Sequence, residues 1–339
     1  MKSIVYAQAG LPIDDPQSLY DVELPKPVPG ARDLLVRIQA ISVNPVDSKL
    51  RNAVQPPAPR VLGWDAVGTV EAIGAEVTEF AIGDEVWYAG DITRPGSYAE
   101  YGIVDERIAS RRPVSITRAE AAAIPLTGIT AWELLFDRLG IAEGGGASEH
   151  LLIIGAGGGV GSILVQLARQ LTGLTVIGTA SRPDTQAWVR DLGAHHVIDH
   201  GKPLQAQLRE AGIEQVEHVI SLTHTDSYYE QIIELLKPEG QLALIDDPAS
   251  LDVMPLKRKS ISLHWEFMFT RSMFRTASMS RQHVLLGRIA SLIDAGRLRT
   301  TLGENFGEIN ATNLRRAHKL IESNKAVGKI VLEGIQAAS

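Results

Sequence analysis

The chain has 339 residues, 45% of them hydrophobic and 22% charged, with a formal net charge of -7 and no cysteine. Its length exceeds one ordinary hydrophobic core and predicts two domains, while its composition excludes a disordered or collagen-like chain. The acidic balance offers no basic face to nucleic acid or anionic lipid, and the missing thiols exclude disulfides, iron–sulfur clusters and cysteine-ligated zinc.

The opening "MKSIVYAQAGLPIDDPQSLY" has no signal-peptide core. No apolar run reaches the roughly 18 residues of a membrane span, so a cytoplasmic protein with a small-molecule partner is expected. The runs "LLVRIQAISV", "AVGTVEAIG", "DEVWYAG" and "YAEYGIVD", separated by Pro and Gly, predict an irregular β-barrel. Thr117 and Glu120 have the spacing of a capping box, and "AEAAA" is helix-prone. The next helix, "TGITAWELLFDRLG", is expected to place Ile129, Trp132, Phe136 and Leu139 on one face and to close at Gly140.

From residue 151 strand and helix alternate: "LLIIG", Gly159 to Leu171, "LTVIGTA", a helix opening at Pro183, "HHVID", a helix near residues 203 to 210, "EHVISL", Asp226 to Leu236 and "QLALID". Continuous apolar strands alternating with helices predict a doubly wound parallel sheet covered on both faces. Two amphipathic helices, near residues 280 to 295 and 309 to 323, precede a closing strand "GKIVLE", whose Lys329 either reaches a bound cofactor or is solvated at a strand edge, so that it carries no assigned role.

The turn in "LLIIGAGGGVGSILVQLARQL" carries the most specific chemistry. Ala156, Gly158 and Gly161 occupy the three small positions of a dinucleotide fingerprint, with Gly159 and Val160 opening the helix between them. Small residues let the backbone turn tightly, approach a pyrophosphate and aim helix N–H groups at its charge. At the end of the next strand an NAD site usually has an acid bonding the ribose 2′-hydroxyl. Here Ala180, Ser181 and Arg182 stand instead. A carboxylate would repel a 2′-phosphate, whereas Ser181 and Arg182 can bind one, which favours NADPH. His200 either covers the same phosphate or is a surface histidine. His195 and His196 flank a strand and point to opposite faces, which argues against a metal site.

With "ISVNPVDSKLR", "LGWDAVGTVEAIG", "GDEVWYAGDITRPGSYAEY", "IPLTGITAWELLFDRLG", "GAGGGVGS", "TASRP" and "ISLHWEFMFTRSMF", the chain resembles medium-chain dehydrogenase/reductases over nearly its full length. Within them it is similar to the zinc-type alcohol dehydrogenase-like proteins related to NADPH:quinone oxidoreductases. The resemblance implies an α/β protein: a Rossmann-type doubly wound parallel sheet plus a GroES-like β-barrel catalytic domain. The expected boundaries are 1–122 for the first part of the catalytic domain, 123–265 for the NADPH-binding domain and 266–339 for the return. Zinc-dependent members use a cysteine, the histidine of a Gly-His-Glu stretch and a second cysteine; those positions fall on Asn44, Trp64 and about Ala123. Indole and methyl groups do not ligate zinc, so no metal is expected.

Without zinc to polarise a carbonyl, the easiest acceptors are quinones and α,β-unsaturated carbonyls, which delocalise the incoming charge. Asn44 is the first candidate for an active-site polar group, its amide suited to a substrate carbonyl, a cofactor group or an ordered water, although an Asn before Pro45 also suits a turn. Asp47 matches the acidic position of the related Asn-x-x-Asp motif and is expected to organise the pocket. Quinone reductases often carry a tyrosine two residues later; here stands Lys49, which leaves the proton donor unassigned. Thr127 matches a threonine at the nicotinamide end in relatives, or is a helix cap. Trp64 is either an apolar pocket wall or core, and Tyr98 either supplies a hydroxyl or packs in the barrel. The resemblance also implies a homodimer, with "ISLHWEF" as a candidate edge strand. Two competing readings are an NADP-dependent alcohol or carbonyl dehydrogenase and a non-catalytic NADPH-binding sensor.

Overall fold

The computed structural model describes residues 1–335 and divides into two compact units, one of Met1–Ile129 with the chain from Phe269 onward, the other of Thr130–Met268. The first unit begins with β1 (Lys2–Tyr6), β2 (Tyr20–Glu23), β3 (Asp33–Val43), β4 (Arg60–Val61), β5 (Ala66–Ile73), β6 (Glu85–Tyr88), β7 (Tyr101–Asp105) and β8 (Ala109–Arg111). β1 lies between β2 and β4 in a small antiparallel sheet. β3 organises the larger sheet and pairs with both β5 and β7. Its register against β5 shifts after Leu35 and after Ile38, and such irregularities bend a strand around a core. Helix α1 (Pro45–Ala53) follows β3 directly, with Pro45 in the first turn where its missing N–H costs nothing.

Helices α2 (Arg118–Ala122) and α3 (Pro125–Trp132) lead out of this unit. The Thr117–Glu120 capping box is present at α2. After Trp132 the helix continues as a π-helical stretch, Glu133–Arg138, which alters the expected face. The wider turn carries one more residue than an α-turn. Leu134 and Leu135 are therefore buried together with Ile129 and Leu139, while Trp132 and Phe136 are only half-buried, their rings meeting at a tilt of 53° with centroids 4.6 Å apart.

The second unit alternates strand and helix through β9 (His150–Ile154), α4 (Gly159–Leu171), β10 (Thr175–Thr179), α5 (Pro183–Asp191), β11 (His196–Ile198), α6 (Leu204–Glu210), β12 (Val216–Ser221), α7 (Thr225–Leu235), β13 (Leu236–Leu244) and β14 (Ser262–Trp265). All six strands are parallel in the order β11-β10-β9-β12-β13-β14, the Rossmann order, with the direction of winding reversing between β9 and β12. Leu152, Ile177, Val219 and Leu242 are fully buried on adjacent strands. Each such side chain contributes roughly 1.5–3 kcal/mol through burial, which explains why these strands are apolar without alternation.

The chain then returns to the first unit through α8 (Thr270–Met273), α9 (Arg281–Asp294), β15 (Leu302–Asn305), α10 (Ala311–Glu322) and β16 (Lys329–Glu333). β16 inserts between β15 and β3, so it is an interior strand of the larger sheet. Among the described residues no helix is long and apolar enough to cross a membrane.

Candidate active site

Asn44 stands between β3 and α1 in extended backbone, as the helix N-cap. Its backbone N–H donates to Asp47 Oδ2 at 2.8 Å, which is the acidic half of a capping box. Its side chain turns to Asp65 instead of capping: Nδ2 donates to Asp65 Oδ2 at 2.8 Å and to Trp64 O at 3.3 Å. The amide oxygen accepts from Lys329 Nζ. Both amide protons and the carbonyl are thus engaged within the protein, and Asn44 is buried.

Lys329 is not a solvated edge residue, one of the two readings the sequence leaves open. Because β16 is interior, the side chain is enclosed, and its ammonium donates to Val43 O at 3.1 Å, to Asn44 Oδ1 and to Asp65 Oδ2 at 3.1 Å. Those three bonds use all its protons. Asp65 also accepts from Ser42 Oγ at 2.6 Å and from the Leu126 N–H at 2.7 Å. A buried ion pair needs such additional bonds to offset its desolvation. Asp65 and Ser42 escaped the sequence reading, although Asp65 lies inside the "LGWDAVG" stretch that raised the zinc question. For Lys329 the signal was the apolar strand that follows it, since a lysine in an interior strand requires an acid.

A second buried chain adjoins this one. Asp47 Oδ2 accepts from the Tyr98 hydroxyl at 2.6 Å, and that hydroxyl lies 3.2 Å from His318 Nε2. His318 Nδ1 lies 3.1 Å from Ser48 Oγ. All four residues are buried, and Asp47 Oδ1 has no hydrogen-bond partner. Burial pushes the Asp47 carboxyl up to about 7 despite the Tyr98 and Asn44 bonds and the charge of Lys329. Burial raises the Tyr98 phenol well above its usual range. It lowers His318 to about 3, with the Arg51 charge acting in the same direction. Gly63 makes room for this arrangement: at φ +102, a Cβ there would lie 2.3 Å from the Tyr98 ring.

Trp64 is buried, its indole donating to Asp91 O at 3.3 Å and meeting the Phe269 ring edge-on at 6.0 Å. Thr127 lies in the first turn of α3, where its hydroxyl donates back to Ile124 O at 3.1 Å rather than capping the helix. A zinc ion does not fit this donor set. Trp64 offers only an N–H, Ala123 a methyl group, and the Asn44 oxygen already holds an ammonium. Among the described residues no group of three or more His, Asp or Glu is placed to hold a metal.

In the second unit, the turn from β9 to α4 fits a pyrophosphate. Gly158 is the N-cap with no side-chain cap, and residues 157–160 remain partly exposed, so the first-turn N–H groups are open to an anion. Ala156 is buried beneath them. Gly161 is required by contact, because a Cβ there would stand 2.5 Å from Gly155 O and 2.6 Å from Ala156. Past β10, Ser181 is exposed, and Arg182 is the N-cap of α5 with Nε 3.6 Å from Asp184 Oδ1. His200 packs edge-on to Tyr228 at 6.3 Å, and burial lowers its pKa. His195 Nδ1 accepts the Val176 N–H at 2.9 Å and so serves the sheet. The structure therefore brings Asn44, Asp47 and Tyr98 into connected networks in one unit, with Trp64 bonded to Asn44 through its carbonyl. It groups the glycine turn, Ser181, Arg182 and His200 at the carboxyl ends of the strands in the other.

The alcohol dehydrogenase GroES-like domain family matches residues 30–113, and the zinc-binding dehydrogenase family matches residues 192–332. A zinc-type alcohol dehydrogenase-like protein of Staphylococcus aureus is 44% identical over 310 residues, 91% of this chain and 92% of the relative. A chloroplastic quinone oxidoreductase of Triphysaria versicolor is 30% identical over 93% of this chain and 94% of its own length. Among solved structures, a protein of Rhizobium etli CFN 42 provisionally assigned as a zinc-dependent alcohol dehydrogenase shares 53% identity over 99% of each chain, with a TM-score of 0.95. A mycobacterial protein solved with NADPH shares 27% identity over 98% of this chain and 100% of that one, with a TM-score of 0.84.

Proposed function

The chain belongs to the zinc-type alcohol dehydrogenase-like proteins of the medium-chain dehydrogenase/reductase superfamily, and from that premise we propose that it is a zinc-independent, NADPH-dependent reductase of quinones or α,β-unsaturated carbonyls. The observation that carries this reading is the Lys329 ammonium seated on Asn44 and Asp65. A cation with every proton committed cannot polarise a simple carbonyl as a metal would. The acceptor must then stabilise the incoming charge itself, as a conjugated carbonyl or quinone does. The quinone oxidoreductase among the relatives supports that substrate class.

NADPH supplies the hydride when bound. The chain's residues would bind and orient it: N–H groups from Gly159 onward would hold the pyrophosphate, while Ser181 and Arg182 would provide a donor and a positive charge for the 2′-phosphate. The NADPH complex of the mycobacterial relative supports the cofactor choice. In the first unit Asn44, through Asp65 and Lys329, holds the β3–α1 junction rigid, and Thr127 keeps two lone pairs to accept a bond while donating backwards. In the same reading the protein acts in the cytoplasm as a homodimer joined through β14, the edge of the parallel sheet.

Titration with NADPH and NADH, followed by NADPH oxidation with a quinone and an enone with and without chelator, tests the proposal. The expected result is tighter NADPH binding and turnover insensitive to chelation. Oxidation of simple alcohols with NADP+ but no reduction of quinone or enone would overturn it, as would loss of turnover on chelation.

A further inference from the structure

Two-electron reduction by hydride also consumes a proton, and no residue treated so far delivers one. We propose that Asp47, Tyr98, His318 and Ser48 form the path by which that proton enters. The inference rests on the reductase reading above.

The geometry gives the chain a direction. Asp47 Oδ2 already accepts the Asn44 N–H at 2.8 Å, and Tyr98 donates its hydroxyl proton to the same oxygen at 2.6 Å. The Tyr98 oxygen, 3.2 Å from His318 Nε2, can then only accept, so Nε2 carries the imidazole proton. Nδ1 is left bare and accepts from Ser48 Oγ at 3.1 Å. Every donor thus points toward Asp47, and the inner end terminates in Oδ1, a buried oxygen with no partner. The outer end is Ser48, whose neighbour Lys49 on α1 is exposed.

The proton balance follows. Where a bound nicotinamide would supply hydride to the acceptor, the proton on Asp47 Oδ1 would complete the product. The carboxylate takes the Tyr98 proton on Oδ2, Tyr98 takes the Nε2 proton, Nδ1 takes the Ser48 proton, and Ser48 recovers one from solvent; the carboxyl and imidazole protons then return to Oδ1 and Nε2 before the next cycle. The sum is NADPH plus one proton plus acceptor giving NADP+ and reduced acceptor. The hops must be concerted, because burial disfavours both a Tyr98 phenolate and a His318 imidazolium. The charges facing Asp47 are Lys329 and Asp65, and Arg51 faces His318. Their net effect, dominated by burial, leaves Asp47 titrating at about 7, where an acid can both hold and release a proton.

Two measurements test this. In the full-length protein, 15N NMR of His318, assigned by its loss in His318→Gln, should show the Nε2–H tautomer, and an Nδ1–H tautomer would overturn the proposal without any assay of activity. In turnover, His318→Gln and the milder Ser48→Ala should lower kcat by about tenfold or more. They should also enlarge the solvent isotope effect and displace the pH profile, with NADPH affinity unchanged. Wild-type kinetics in both variants would overturn the relay alone. NADPH binding by the wild type without turnover of any quinone or enone would overturn the reductase reading itself, a separable failure.

Discussion

Lys329 Nζ lies 3.1 Å from Asp65 Oδ2, with side chains only 3% and 0% exposed, and the pair ties the closing strand β16 to the segment that enters β5. Removing one partner leaves an uncompensated buried charge. Lys329→Met is expected to cost about 3–5 kcal/mol of stability, with much of the loss recovered in the Lys329→Met/Asp65→Asn double variant. Urea unfolding of the wild type and the two variants measures this. A single-variant loss below about 1 kcal/mol, the size of an exposed pair, would mean that the ammonium is not holding Asp65.

Arg182 tests the cofactor assignment. A charge-assisted bond to the 2′-phosphate contributes roughly 1.5–3 kcal/mol, so Arg182→Ala should weaken NADPH by about ten- to a hundredfold. NADH lacks that phosphate and should bind as before. Fluorescence titration with both cofactors decides the matter, and equal weakening of the two would show that Arg182 serves the fold.

Asp47 and His318 make opposing contributions to stability against pH. Asp47 rises from 3.8 to about 7 on folding, so the native state holds the extra proton across that window and stability falls as pH rises through it. His318 drops from 6.5 to about 3, so its contribution is present above 6.5 and is lost as pH falls toward 3. Between about pH 4 and 6.5 the two slopes oppose each other. Asp47→Asn should therefore steepen the loss of stability in acid, and His318→Gln should flatten it. Chemical denaturation at pH 5 and pH 7.5 gives the slopes; identical slopes in both variants and the wild type would refute the assignment.

The Rossmann unit was legible because its signals are local: short apolar strands, a glycine turn and Pro183 at the start of a helix. Gly159–Leu171 matched a helix read from the sequence to the residue. The polar networks were not legible, because their partners are distant in the chain. Asp47 and His318 meet through Tyr98, and Lys329 reaches Asp65, only once β16 and α10 return beside β3 and α1. The π-helical stretch after Trp132 escaped for a different reason, since the 3.6-residue periodicity used to assign a face does not describe a wider turn.

Gly161 provides a check on the turn itself. Because the obstructing atom is the Gly155 carbonyl oxygen at 2.5 Å, backbone that cannot rotate away, Gly161→Ala must displace the start of α4. The expected outcome is loss of NADPH and NADH binding together with a lower unfolding temperature. Normal binding of both would show that the turn yields without consequence.

The edge strand carries the last prediction. β14 pairs with β13 on one side only, and Trp265 at its end is 52% exposed, with Phe267 just beyond it also exposed, an apolar surface at the edge of the sheet. An unpaired parallel edge with an apolar side chain is suited to a second copy related by a twofold axis, since each edge then satisfies the other. Trp265→Lys places a charge, and across the axis its twin, where the two edges would meet. Light scattering at micromolar concentration should show a dimer for the wild type and a monomer with unchanged circular dichroism for the variant. A wild-type monomer, or a variant dimer of undiminished affinity, would place the interface elsewhere or remove it.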